Sequence, residues 1–391
     1  MNTYISSIVG SASMELMAKA KLLKENGIDV ISLAGGEPDF DTPDTVKEVA
    51  IRELRKGNTH YAVGKGILPL RKRIQQKLKR ENGIDISAEN IIVTPGAKMA
   101  IYLAVRACIN AEDEVIVFTP SWVSYQEIVK ASGGVPIELE LLASNNYAVD
   151  KKSLLDKITS RTKMIIVNSP NNPTGRILTV SDIAVIKEVA ISNDLVVLSD
   201  EIYEHIIFDG KRNMSLASDL ELAEHTITIN GFSKAYAMTG WRLGYLASPD
   251  KYLDAINKIF THTITGTPPF IQEAAVVAID CIEDVKRMNG RYQARRDMFI
   301  QGLNQIPGVT VVEPDGAFYA WVKFDIDGLN SEAVAMFLLE RAKVVGVPGN
   351  AYGKGGEGYI RFSFANSEED LMDAVHRIKN AIQERKGKIN G

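Results

Sequence analysis

The sequence predicts an α/β fold: a large unit with a mainly parallel sheet flanked by helices, plus a smaller α+β unit. Three observations lead there. Through the middle of the chain, short apolar strands alternate with amphipathic helical stretches, which implies parallel strands covered on both faces. In the last third the strands are separated by turns and by one helix, the pattern of a smaller α+β layer. Polar residues of distinctive chemistry fall just after several apolar strands, where open α/β sheets place ligands.

The elements follow in order. The start, to about Asp44, reads as loop-rich and able to pack on either unit. Ile91 to Val93 is a strand, followed by Thr94-Pro95-Gly96-Ala97 and a helix to about Ile109. Further strands are expected at Val115 to Phe118, Val135 to Leu139, Met164 to Val167, Val196 to Leu198, Ile227 to Ile229 and Leu243 to Ala247. Helical patterns such as Ser181 to Ile191 lie between several of them. Val309 to Val312, Ala317 to Val322 and Tyr359 to Phe364 are the strands of the smaller unit, with a helix from about Ser331 to Arg341. A boundary near Val285 divides the chain into a large unit, 45–285, and a smaller one formed by 1–44 with 286–391.

Composition narrows the function. With 391 residues, 45% hydrophobic and 24% charged, the chain can bury a sizeable core and two domains. A net charge of −4 without a basic stripe argues against nucleic acid as a partner. Cys108 and Cys281 lie in apolar, helical-looking stretches and read as buried free thiols of a reducing compartment. Met1 to Gly10 lacks a cationic stretch followed by an apolar core, and no run approaches eighteen apolar residues, so a cytoplasmic protein without membrane contact is expected. Lys386 and Lys388 read as a frayed end. No metal is called for. Neither Gly-x-Gly-x-x-Gly nor a Walker-type Gly-Lys-Ser/Thr is present, which speaks against a dinucleotide-dependent dehydrogenase and against nucleoside triphosphates.

The most informative run is Gly231-Phe232-Ser233-Lys234-Ala235-Tyr236-Ala237-Met238-Thr239-Gly240-Trp241-Arg242, directly after the alternating Thr226-Ile227-Thr228-Ile229-Asn230. An amine there can form a Schiff base with an aldehyde, while the Ser233 hydroxyl and Arg242 guanidinium can hold a phosphate. A lone lysine is otherwise a solvated surface residue. Asp200 ends an apolar strand and is followed by Glu201 and Tyr203. Its carboxylate suits a protonated ring nitrogen and equally suits a helix N-cap. Gly96-Ala97 opens a helix after a strand, a turn that can receive a phosphate but is common without one. Trp122 can stack on a planar ring or simply be core. Asn168-Ser169-Pro170-Asn171-Asn172-Pro173-Thr174-Gly175 is dense in turn formers and presents an amide. Arg361, a charge within Tyr359-Ile360-Arg361-Phe362-Ser363-Phe364, needs an anionic partner, either a substrate carboxylate or an internal acid.

With these residues in view, the chain resembles the class I aminotransferases of the fold type I pyridoxal phosphate enzymes, the aspartate aminotransferase group in particular. The resemblance runs from Leu33-Ala34-Gly35-Gly36-Glu37-Pro38-Asp39-Phe40 to Ile360-Arg361-Phe362-Ser363. Its strongest motifs are Asn171-Asn172-Pro173-Thr174-Gly175, Ser199-Asp200-Glu201-Ile202-Tyr203, and Ser233-Lys234 with Thr239-Gly240-Trp241-Arg242. It implies pyridoxal 5'-phosphate as cofactor, with Lys234 as the Schiff-base lysine and Asp200 as partner of the pyridine nitrogen. Tyr203 and Asn172 become donors to the phenolic oxygen, and Trp122 the aromatic on the ring. Gly96, Ala97, Ser233 and Arg242 hold the phosphate, with Tyr61 reaching in from a second subunit. Arg361 grips the substrate α-carboxylate, aided by Asn172 and the backbone at Gly36. A homodimer with the active site at its interface is implied.

The resemblance implies an amino group moved from an L-amino acid to a 2-oxo acid with ping-pong kinetics. Aspartate or glutamate is the expected donor. The arginine that reads a distal carboxylate in one branch of the family has no counterpart in His262-Thr263-Ile264-Thr265-Gly266-Thr267-Pro268-Pro269. Lys98 can supply that charge, or be a solvated helix residue. Aromatic amino acids, a diaminopimelate-type donor, a β-eliminating lyase and a non-enzymatic cofactor-sensing regulator are the alternatives. The last normally carries a DNA-binding module ahead of the Gly35-Gly36-Glu37 motif.

Overall fold

The computed structural model describes residues 6, 8, 10, 12–62, 64–326 and 328–389, so most of the Met1 to Gly10 stretch lies outside the described residues. The strands in chain order are β1 (Ile31–Ser32), β2 (Ile91–Thr94), β3 (Glu114–Thr119), β4 (Val135–Glu140), β5 (Thr162–Asn168), β6 (Val196–Asp200), β7 (Thr226–Gly231), β8 (Gly244–Ala247), β9 (Val309–Val311), β10 (Tyr319–Phe324), β11 (Val344–Val345), β12 (Val347–Pro348) and β13 (Tyr359–Ser363). The helices used below are α1 (Ala12–Glu25), α2 (Asp44–Arg55), α3 (Leu68–Lys77), α4 (Ala97–Cys108), α5 (Ser124–Ala131), α6 (Val180–Ser192), α7 (Asp250–Thr263), α8 (Pro269–Ala278), α9 (Ile282–Asn304), α10 (Ser331–Phe337) and α11 (Glu368–Ile389).

Seven strands form the large sheet in the order β2-β8-β7-β6-β5-β3-β4. From β4 to β7 every pairing is parallel, and β8 runs antiparallel to both β7 and β2. Alternation along each strand sends side chains to two different cores. Val115 and Val117 join Ile101, Val105, Ile256 and Phe260 of α4 and α7, whereas Ile116 joins Ile186, Val189 and Ala190 of α6. Because both faces are covered, β3, β6 and β7 are buried along their whole length, the threonines of β7 included. An antiparallel neighbour needs no crossover helix, so the segment from β7 to β8 is free to be a non-helical loop. Lys234 sits in that loop.

The C-terminal sheet has the order β12-β13-β10-β9 and is antiparallel throughout. Its core joins Phe299 and Leu303 of α9 and Leu371, Val375 and Ile378 of α11 to Ile202, Tyr203, Ile206 and Phe208, which follow β6. β1 pairs in parallel with β11, and the Ser363 amide donates to the Leu33 carbonyl, which ties the segment before Gly36 to this layer.

Several expectations shift. The start is not simply loop-rich, since it holds α1 and β1. β10 begins at Tyr319 because Ala317 sits at φ +57°, outside the strand region. The helix from Ser331 changes to a π-helical turn over Leu338–Ala342. The C-terminus is no frayed end: α11 continues to Ile389, anchored by buried Leu371, Ala374, Val375, Ile378, Ala381 and Ile382 at helical spacing. Cys281 is buried but precedes α9 instead of lying within a helix, and Cys108 is only half-buried. Among the described residues no helix is long and apolar enough to cross a membrane.

Candidate active site

Parallel pairing brings the ends of β5 and β6 level, with Asn168 opposite Asp200, while β7 ends close by at Gly231. These ends open into a cavity of about 380 Å³, whose walls include Gly36, Ala97, Lys98, Trp122, Asn172, Asp200, Tyr203, Ser233, Lys234, Arg242 and Arg361. Gly96 sits behind the wall, against Arg242. Tyr61 does not line the cavity and is 92% exposed.

Asp200 is buried at the end of β6. Its Oδ2 accepts from the Tyr125 hydroxyl at 2.6 Å and its Oδ1 from the Ile202 amide at 3.1 Å. It therefore caps a turn and faces a cavity at once. Burial raises its pKa to about 6, although the Tyr125 and Ile202 bonds and the charge of Lys234 pull the other way.

The Lys234 ammonium donates to the Gly36 carbonyl. Burial, then Arg361, depress its pKa to about 8, with Arg242 adding to the effect and Glu37 and Asp200 opposing it. A buried amine so adjusted is available as a base or nucleophile near neutral pH. The aromatic faces of Tyr203 and Phe318 lie 5.8 and 5.7 Å from its Nζ.

Arg361 is 3% exposed. Its Nη1 donates to Asn172 Oδ1 at 3.2 Å and its Nη2 to the Ala34 carbonyl at 2.7 Å, and the guanidinium lies 4.3 Å from the Tyr319 ring centroid. Nε has no partner. Among the described residues no carboxylate forms an ion pair with it, so the internal acid considered from sequence is absent. A buried cation served only by neutral groups is costly, and an incoming carboxylate relieves that cost.

Elsewhere in the cavity, Ser233, Arg242 and the first amides of α4 can hold an anionic group. Gly96 is at φ +82°, and a Cβ there would meet Arg242 Nη2 at 2.6 Å. Glycine lets the guanidinium lie against the turn. Arg242 is also fixed by an Nη1 bond of 2.9 Å to the Thr239 carbonyl. Lys98 places its ammonium 4.7 Å from the Trp122 ring centroid, and burial together with Arg242 lowers its pKa.

Tyr125, Asn168 and Tyr319 line the cavity with polar contacts to which the sequence assigned no role. Tyr125 lies one turn of helix beyond Trp122 and meets its ring edge-on at 5.3 Å. Asn168 donates to the Asp200 carbonyl at 2.9 Å and accepts from the Asn172 amide at 2.9 Å, so it fixes the loop that presents Asn172. Tyr319 shares a 2.9 Å hydroxyl contact with Tyr203, and its oxygen would lie 2.9 Å from a Cβ at position 36, which explains glycine there. A tyrosine within an amphipathic helix or strand reads as core, and only the i+3 spacing from Trp122 gave any signal. The His262 to Pro269 stretch stays outside the cavity.

Comparison with known proteins agrees with this chemistry. The family model for aminotransferase class I and II matches residues 28–378. A probable aspartate/prephenate aminotransferase of Aquifex aeolicus is 39% identical over 97% of this chain and 98% of its own. The aromatic-amino-acid aminotransferase 2 of Thermococcus litoralis is 40% identical over 91% of this chain and 92% of its own. Among solved structures, the aspartate aminotransferase from Thermus thermophilus with maleate superposes with a TM-score of 0.93 at 37% identity, covering 97% of this chain and 99% of that one. With an amine and a buried carboxylate from the large sheet and a buried guanidinium from the C-terminal sheet facing one cavity, and with such enzymes matching it almost end to end, the chain belongs to the class I and II aminotransferases.

Proposed function

We propose that this amino acid aminotransferase works with pyridoxal 5'-phosphate, takes aspartate or glutamate as amino donor, and passes the amino group to a 2-oxo acid in a ping-pong cycle. The observation that carries the reading is that Lys234, Asp200 and Arg361, which among the described residues meets no carboxylate, line one cavity. The residues present fit the cofactor. Arg242, Ser233 and the Gly96-Ala97 turn suit its phosphate, and the glycine at 96 leaves room for Arg242 that a Cβ would fill. Asp200 is a buried carboxylate suited to a cationic ring nitrogen.

Bound there, the cofactor supplies a carbonyl that reacts with amines and a ring that accepts electron density from the substrate Cα. The chain does the rest. Lys234, free as an amine above about pH 8, takes and returns the proton at the substrate Cα. Asp200 would hold a proton on the ring nitrogen, Tyr203 and the Asn172 amide would donate to the phenolic oxygen, and Trp122 would pack on the ring. Arg361 binds the substrate α-carboxylate, with Asn172 held to it through Oδ1 and the backbone at Gly36 close by.

Lys98 is the group we assign to a distal carboxylate. In support, its cationic end lies in the cavity wall and the His262 to Pro269 stretch contributes no arginine. The Thermus relative bearing maleate, a dicarboxylate, and the relatives named for aspartate point the same way. The Thermococcus relative named for aromatic amino acids favours a second reading, an aromatic donor. The remainder of the proposal is a cytoplasmic homodimer in which Tyr61 serves the partner's site, and a division into 45–285 and 1–44 with 286–391. The exposed Tyr61 ring and two free thiols support the first part.

The test is a substrate panel on purified protein with added cofactor. A new near-visible absorbance, trapped by borohydride on the Lys234 peptide, is expected. With 2-oxoglutarate as acceptor, kcat/KM should be higher for aspartate than for phenylalanine or alanine. Lys98→Gln should lower the aspartate value by about 10- to 100-fold, the loss of one charge-assisted bond, and leave phenylalanine nearly unchanged. Pyruvate release without an acceptor would instead mark a lyase.

A further inference from the structure

We infer that Asn230 and Glu204 form a clamp beneath the cavity that positions the Ser233-Lys234 segment against the Asp200-Tyr203 segment. The inference rests on the roles proposed above for Lys234 and Asp200. Neither clamp residue lines the cavity, so both are positioning residues.

Asn230 is 2% exposed and stands one residue before the end of β7. Its Nδ2 donates to Glu204 Oε1 at 2.6 Å and its Oδ1 accepts from the Gly231 amide at 2.7 Å. Glu204 directly follows Tyr203, and its amide donates to the Glu201 carbonyl at 2.9 Å. Parallel pairing of β6 and β7 reaches only to Asp200 opposite Ile229, with a last bond from the Glu201 amide to the Ile229 carbonyl. Beyond that point the pairing of the two strands ends, and each leads into half of the proposed chemistry. The Asn230 side chain spans the gap.

The far side of the clamp is anchored. Glu204 accepts from the Lys77 ammonium at the end of α3 and, through Oε2, from Asn82 Nδ2 at 2.6 Å. Asn82 Nδ2 also reaches Ser215 Oγ at 2.8 Å and Glu201 Oε2 at 3.2 Å, and Glu201 accepts from Ser199 and Ser215. The charged and titratable groups around Glu204 are Lys77 and Glu81 from α3 and the turn after it, Glu201 and His205 from its own segment, Tyr236 from the β7–β8 loop and Tyr245 from β8. A buried cluster of this kind is a poor source of stability, because apolar replacements of equal volume are often as good or better. What it supplies is fixed hydrogen-bond geometry.

Transmission to Lys234 is short. Position 231 is packed so closely that a Cβ there would lie 3.0 Å from the Gly244 Cα and 3.1 Å from the Leu243 carbonyl. Backbone set by Asn230 at that point leads within three residues to Lys234.

The test compares holoenzyme of wild type, Asn230→Ala and Asn230→Asp by kcat, KM, spectroscopic pH titration of the bound cofactor, and thermal midpoint. Asn230→Ala should keep KM within about threefold but lose about 10- to 100-fold in kcat, the scale of a small misplacement of reacting groups, and its titration midpoint should move by about half a pH unit or more. Asn230→Asp can still accept the Gly231 amide, but ionised it repels Glu204 and protonated it donates to it. Its kcat relative to wild type should therefore recover as pH falls from about 8 to about 6, and the alanine variant should show no recovery. An alanine variant with wild-type kcat and titration and only a lower thermal midpoint would overturn the clamp, as would an aspartate variant with the wild-type pH profile. If the alanine variant does not fold, the aspartate profile decides alone. A wild-type protein that takes up no cofactor would sink the cofactor reading first and the clamp with it; a coloured, active wild type confines any failure to the clamp.

Discussion

The Tyr125 hydroxyl donates to Asp200 Oδ2 at 2.6 Å, so the carboxylate that closes β6 is held by a side chain of α5, a helix that begins next to Trp122. This bond favours the ionised carboxylate against a burial that favours the neutral one. Tyr125→Phe removes it. The Asp200 pKa should then rise further above the ordinary range, and kcat should fall about 10-fold or more, in line with the loss of one hydrogen bond to a charged group. Steady-state kinetics at pH 7 and 8 would check this, with the deficit smaller at the higher pH.

Asp200 also sets a stability trend. Its folded pKa of about 6 lies above the unfolded 3.8, so its contribution is fully present below about pH 4 and is lost as pH rises through 6. Unliganded Asp200→Asn should thus match wild type near pH 4 and exceed it by about 1–3 kcal/mol above pH 6. Urea unfolding at the two pH values measures the difference. The same variant should lose transamination.

The Lys234 amine, with its pKa depressed to about 8 by burial and Arg361, should react long before ordinary lysines do. In unliganded protein, competitive acylation followed by peptide mass mapping should show its labelling rising through pH 8, while exposed lysines follow near pH 10.5. Arg361→Met should raise that midpoint by removing a nearby positive charge.

Arg361→Met has a second signature. It deletes a buried guanidinium that, among the described residues, forms no ion pair with a carboxylate, so the unliganded fold should hold or gain in thermal midpoint. Donor and acceptor should both lose about 100- to 1000-fold in kcat/KM, the equivalent of two charge-assisted hydrogen bonds at about 1.5–2 kcal/mol each. A loss confined to one substrate would contradict the shared carboxylate site.

Gly96→Ala should weaken cofactor retention. The added Cβ falls 2.6 Å from Arg242 Nη2 at a backbone φ of +82°, so the guanidinium must shift and the turn is strained. Dialysis of the variant should release cofactor at least about tenfold faster than wild type, and excess cofactor should restore most activity.

What the sequence disclosed depended on contrast. Asp200 and Arg361 stood out because each is a charge at the end of, or inside, an apolar run, and Lys234 because it stands beside Ser233 and ahead of Arg242 just past an alternating strand. The strands of the large sheet were legible because those covered on both faces, such as β3, β5 and β6, carry short apolar runs, and β7 alternates β-branched residues. Tyr125 and Tyr319 were not, since a tyrosine on a buried face reads as packing until its hydroxyl is seen to meet Asp200 or Tyr203. Lys77 and Glu204 are 127 positions apart, and no local pattern pairs them. Strand β10 began later than its composition suggests because Ala317 turns with positive φ, which side-chain type alone does not announce.

The guanidinium at position 361 is gripped by a carbonyl 327 positions earlier and an amide oxygen 189 positions earlier. Three remote stretches must therefore meet before this guanidinium is held in place. During synthesis, the amine-bearing loop emerges well before strand β13. The loop that bears Lys234 is thus made before the strand that completes its surroundings, and since burial and Arg361 both depress the Lys234 pKa, the amine acquires its altered basicity only once β13 has docked.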